Sequence, residues 1–213
     1  PERATSPTDR GFREADAGGF DELRRASVRG DTLAAVIGRI VGPEVASLGP
    51  ADAHRRLAES ATWRPGHVSV LVTGAAGAPS PYSLRLVDPE GRRLGGANAA
   101  GKVLKEIPFG DLVPLANAAG DPVGELALLA VPSPGEYLVR LEAVPARAGP
   151  YTVSVVIPDA GGALHHVVFE ALDGESVPVA VDRGGATRLQ FELAGGGGAS
   201  AAPSSASEVI DPA

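Results

Sequence analysis

An antiparallel β-sandwich of the immunoglobulin-like kind is the fold class this sequence predicts, and three observations predict it. From Trp63 onward apolar residues recur with period two: Val68, Val70 and Val72, then Tyr82, Leu84 and Leu86, then Leu189, Phe191 and Leu193. Successive side chains of a strand point to opposite faces, so each set lines one buried face. Turn formers punctuate these runs, with Gly 28 and Pro 19 among 213 residues. No helical pattern separates the strands, which removes the parallel α/β architectures. The strongest signal is Gly135 to Asp159. There Tyr137, Val139, Leu141 and Ala143 alternate with Glu136, Leu138, Arg140 and Glu142, and Tyr151, Val153, Val155 and Ile157 follow with the same period. This stretch reads as a half-buried antiparallel pair joined by a short Pro/Gly connection.

The elements follow in order. Residues 1–19 are polar and Gly-rich without periodicity, an extended or disordered arm. Residues 20–62 form a helical extension. Asp31 caps a helix whose Leu33, Val36, Ile37, Ile40 and Val41 share one face, and Gly42-Pro43 stops it. A second helix runs from Pro50 to about Ala61, with Ala53, Leu57, Ala58 and Ala61 on one side. These helices are expected to pack on the sandwich or cap one end; the alternative is that Leu33 to Val41 docks on a neighbouring chain or domain.

Residues 63–194 are the sandwich. Strands are expected at His67 to Thr73 and at Tyr82 to Val87, the latter ended by the turn Asp88-Pro89-Glu90-Gly91. A weaker one spans Lys102 to Ile107, and Phe109 to Gly124 reads as an irregular connection between the sheets. Leu126 to Val131 is nearly all apolar, a central strand buried on both faces. After the Gly135 to Asp159 pair come His165 to Leu172, Val177 to Val181 and Thr187 to Leu193, giving about nine strands. The tail, residues 195–213, opens GGGG and continues Ala/Ser-rich. It reads as a flexible linker, with docking of Ser207 to Pro212 on another surface as the alternative.

Composition narrows the chemistry. A net charge of -7 argues against nucleic-acid binding, which needs a basic patch. Cys 0 excludes disulfides, thiol catalysis and Cys-ligated zinc. No apolar run is long enough to span a membrane as a helix, and the first residues contain no apolar signal core. The chain opens on Pro1 without Met, which suits both a fragment whose export signal or preceding domain was removed and simple excision of an initiator Met. Lys102 and Lys105 are the only lysines against many arginines, a bias expected of a GC-rich bacterial genome.

Catalytic motifs are wanting. No G-x-S-x-G elbow occurs. His165 and His166 are adjacent on a strand and point to opposite faces, while His54 and His67 sit isolated in different elements. Asp88 and Glu90 lack the further carboxylates that calcium needs, and read as part of a turn. Gly195 to Gly198 follows a strand but precedes no helix, so it cradles no phosphate. Glu136, Glu142, Glu170 and Glu192 read as solvated strand carboxylates, not an acid/base pair. No catalytic residue, metal or cofactor is expected. Tyr82, Tyr137 and Tyr151 fall on inward positions, which leaves Trp63 as the natural platform for a glycan or as a cover where helix gives way to sheet.

Four stretches carry a resemblance: SPYSLRLVDPEGRRLGG from Ser80, KEIPFGD from Lys105, PSPGEYLVRLEAV from Pro132 and GPYTVSVVIPDA from Gly149. Together Ser80 to Asp159 resembles immunoglobulin-like or pre-peptidase-type accessory sandwiches of bacterial cell-surface and secreted proteins. The resemblance implies a fold and an extracellular or cell-surface setting; it carries over no functional residue. The expected function is that of a non-enzymatic structural or protein-interaction module, with Trp63, Leu33, Val36, Ile37 and Ile40 as candidate interaction residues and a protein partner or neighbouring subunit as the occupant. Two alternatives stand beside it: a carbohydrate-binding module centred on Trp63, and the C-terminal accessory region of a secreted hydrolase.

Overall fold

The computed structural model describes residues 49–59, 67–75, 78–116, 121–171, 180–194 and 205–210. They comprise one helix, α1 (Pro50–Glu59), and strands β1 (Val68–Gly74), β2 (Tyr82–Val87), β3 (Arg93–Ala97), β4 (Val103–Lys105), β5 (Gly110–Ala116), β6 (Pro122–Leu129), β7 (Gly135–Ala143), β8 (Tyr151–Pro158), β9 (Leu164–Ala171), β10 (Ala180–Val181), β11 (Thr187–Ala194) and β12 (Ser205–Ile210). Two six-stranded sheets result, ordered β12-β9-β8-β1-β6-β5 and β10-β11-β7-β2-β3-β4. Their pairings are antiparallel except β11 with β7, which is parallel from Thr187 opposite Gly135 to Ala194 opposite Glu142. Val70, Val72, Val153 and Val155 of the first sheet meet Leu84, Leu86, Val139 and Leu189 of the second in one core. This is the expected β-sandwich.

The two sheets differ in what covers their outer faces. The second has a solvent face, so β2 and β7 alternate buried and half-buried positions. The first is buried on both faces: every residue of β1 is buried. Its outer face carries Leu71, Val113, Leu126, Leu128 and Val156 in a second apolar cluster with Ala53, Leu57 and Ala58 of α1. That explains why β1 and β6 read as nearly continuous apolar runs. The helix starts as its sequence predicts, with Pro50 at the first position and the Gly49 carbonyl accepting from Ala53 N–H at 2.9 Å. The helix expected over Asp31 to Val41, with Leu33, Val36, Ile37 and Ile40, lies outside the described residues, as do Trp63 and the arm.

Three expectations need correction. The Gly135 to Asp159 stretch is not a paired hairpin: β7 lies between β11 and β2, whereas β8 lies between β1 and β9 in the other sheet. The connection crosses between the sheets at one end of the sandwich, with Val144 N–H donating to the Pro81 carbonyl and Ala75 N–H to the Pro150 carbonyl. Ala146 (φ 64) and Gly149 (φ 135) make the crossing. Alternation reports which face is buried and not which strand is the neighbour, so the inward residues were read correctly and the pairing was not.

Secondly, Phe109 to Gly124 contains β5 and the start of β6. Pro114 hid β5, but this strand ends its sheet, where a missing N–H is tolerated. Likewise β3 was hidden by Gly95 and Gly96, at φ 90 and 67, where the chain passes so close to β2 that a Cβ on Gly95 would sit 2.3 Å from the Leu84 carbonyl oxygen. Thirdly, the tail supplies β12, so twelve strands are described where about nine were expected.

Glu125 of β6 ties the sheets together. Its Oε2 accepts from Leu84 N–H of β2 at 2.6 Å, beyond the point where β3 stops pairing. Burial raises this carboxyl above its ordinary value; the Leu84 N–H opposes the rise, Glu142 adds to it and Arg147 opposes it. A raised folded value means stability that is present at low pH and lost as pH rises through that value. Glu125→Gln keeps an oxygen for Leu84 N–H and removes the burdensome charge. Its denaturation midpoint should match or exceed wild type at about pH 7 and lose that advantage at about pH 4, as read by urea unfolding at both.

Candidate functional site: the seat of the helix and the β9 edge

Sheet burial on both sides makes any polar residue in β1 or β8 a problem to be solved locally. Ser69 interrupts the apolar run of β1 and Ser154 that of β8, and both face outward beneath α1. His54 comes down from the helix between them. Its Nδ1 is hydrogen-bonded to Ser154 Oγ at 2.9 Å and its Nε2 to Ser69 Oγ at 2.6 Å. Ser154 Oγ is also bonded to His166 Nε2 of β9 at 2.8 Å. The four side chains are 0–5% exposed, and the two imidazoles stand edge to face with centroids 6.0 Å apart. Each hydroxyl can give one proton and accept another, so this chain of bonds is complete with both rings neutral.

A serine between two imidazoles has the outline of a nucleophile with its base. Its environment directs it elsewhere. Burial, aided by charge on His166, lowers His54 from 6.5 to about 3. A base that weak takes no proton near neutrality, and Ser154, 0% exposed, meets no solute. What the arrangement does is fasten: it joins α1 to β1, β8 and β9, beside the apolar contact made by Ala53, Leu57 and Ala58. His54, read from sequence as isolated, is therefore the centre of the cluster. The available signal was the pair of serines set inside valine runs on strands too apolar to have a wet face.

Beside this seat lies the edge of the first sheet. β9 is long and free of Pro and Lys. Two other edges are blunted: β5 carries Pro114, and β4 is Val103–Lys105 with Lys102 preceding it. The β9 edge is instead filled by β12, antiparallel from Ser205 opposite Phe169 to Ile210 opposite Leu164, with Glu208 opposite His166. α1 touches β12 as well as β1, β8 and β9.

The other residues singled out from sequence are engaged structurally. His165, on the face opposite His166, bonds Asp159 Oδ2 at 3.0 Å, and this bond is the largest influence holding Asp159 below the usual carboxylate range. Asp88 closes its turn by accepting from Glu90 N–H and Arg92 N–H at 3.1 and 2.7 Å. Glu136 pairs with Arg188, Glu142 with Arg85 and Glu192 with Arg140 on the solvent face of the second sheet. Among the described residues no group of three or more His, Asp or Glu side chains could hold a metal ion, and no helix is long and apolar enough to cross a membrane. A cavity of about 300 Å³ opens beside Phe109, Val131 and Pro132, but its one cation, Arg92, is already held by Asp88 and Glu90. Comparison with family models, curated proteins and solved structures finds no match to this chain.

Two outcomes follow from the helix seat. A lowered folded value gives stability that is present above the unfolded imidazole value and lost as pH falls, so unfolding free energy should decline from about pH 6.5 down to about pH 3, by on the order of a few kcal/mol. Urea titrations at a series of pH values measure it, and a flat profile there contradicts the assignment. Ser154→Ala leaves two imidazole nitrogens facing a methyl group. It should cost about 1–3 kcal/mol at neutral pH and speed amide exchange within α1 before the strands.

Proposed function

We propose that this chain is a non-enzymatic structural and protein-interaction module of a bacterial extracellular or cell-surface protein, and that it associates by strand addition at the β9 edge. The observation that carries this reading is β12. A segment beyond a Gly/Ala/Ser-rich stretch of sequence adds to β9 as an extra strand, along an edge that carries neither Pro nor Lys. Main-chain hydrogen bonds give such an addition its affinity, and the side-chain positions along the edge give it selectivity. The absence of cysteine, the arginine bias and the Ser80 to Asp159 resemblance support the bacterial surface setting.

The test is whether the edge accepts a strand offered separately. A chain ending at Ala194 should bind a labelled synthetic peptide of residues 203–213 saturably in fluorescence anisotropy. The same peptide with Ser207→Pro and Glu208→Pro should not bind, because one of the two prolines must remove an N–H that faces β9. Equal binding of both peptides, or of neither, rejects strand addition.

A further inference from the structure

The strand-addition reading leaves the partner unnamed, and the structure narrows it. All of the sheet pairing of β12 is with β9, and residues 195–204, GGGGASAAPS, join it to β11. Nothing in that ladder depends on β12 belonging to the same molecule as the β9 it pairs with. The register partners, from Ser205 with Phe169 to Ile210 with Leu164, would be the same with the strand supplied by another copy. We propose that Ser205–Ile210 is an exchangeable strand, and that the β9 edge of one copy takes it from a second copy of this chain. This inference rests on the strand-addition reading above.

Closure and exchange form the same ladder, so the linker decides between them. Ala194 lies beside Glu142 of β7, and Ser205 lies beside Phe169, near the Tyr151 end of β8. Because β7 and β8 are joined through residues 144–150, both linker ends sit at one end of the sandwich, within easy reach of each other. Tethering through the ten residues 195–204 sets an effective concentration of about 1 mM, so chains at about 1 µM close on themselves by roughly a thousandfold. Exchange takes over once copies are held together at about millimolar local density, as in a surface layer. A directly joined chain cannot close at all, since one Cα step spans about 3.8 Å and facing sheets lie about 10 Å apart.

The absence of cysteine makes the test clean. Ala206 stands opposite Val168, so the two substitutions Ala206→Cys and Val168→Cys can be placed on one chain or on two. Opposed antiparallel positions fall within disulfide range. Under copper-phenanthroline oxidation the doubly substituted chain at about 1 µM should form an internal disulfide. An equimolar mixture of the two singly substituted chains should give covalent dimers carrying this cross-link at about 1 mM and at least tenfold fewer at about 1 µM. In chains also lacking residues 195–204 the mixture should cross-link at both concentrations. An internal disulfide with no mixed 206–168 cross-link at any concentration, in either background, overturns exchange and leaves strand addition standing. Failure of the internal disulfide overturns both.

Discussion

Burial of the first sheet on both faces is the constraint on which the rest of the structure depends. A sheet with one wet face can place a serine or histidine outward and leave water to satisfy it. Here β1 and β8 have no such face, and each polar group on them must find a protein partner or cost about 1–3 kcal/mol. His54 answers that requirement for Ser69 and Ser154 together, and His166 completes the chain of bonds. The helix is thereby specified in position as well as held: Ala53, Leu57 and Ala58 can slide along an apolar surface, but a ring bonded at both nitrogens cannot.

The second sheet shows the contrast. Its outer face is wet, and its charged residues form cross-strand pairs such as Arg140 with Glu192 at 2.8 Å and Arg85 with Glu142 at 3.0 Å. Exposed pairs of this kind contribute about 0–1 kcal/mol each. They keep the face soluble and help select register, but the fold does not rest on them. Carboxylates also join the sheets: Asp111 of β5 pairs with Lys105 of β4, and Glu125 of β6 meets Leu84 N–H just beyond the last β2–β3 register pair, Arg85 with Gly95.

Edges complete the picture. Proline guards β5, and short length with neighbouring lysines guards β4, each in a way readable from the residues. The outer side of β9 is covered by the chain's own β12. A guard made of strand differs in kind from the others, because it can be lent and replaced. The helix seat and this edge share β9: His166 faces Ser154 on one side and stands opposite Glu208 in register on the other.

Much of this was legible in the residues. Period-two alternation identified the sheet class and the inward tyrosines, and Pro50 with Ala53, Leu57 and Ala58 marked the helix and its buried side. These are local properties, fixed by the geometry of a strand or helix whatever surrounds it. What only the tertiary structure decided were the partnerships. Whether β7 pairs with β8 or with β11, whether His54 is isolated or meets His166, and whether the tail trails or adds to β9 all depend on residues distant in sequence. Alternation is identical in every one of those arrangements, since it records burial and not neighbours. Alternation alone did not mark Ser69 and Ser154 either, and only the fold showed that a histidine on the helix meets both.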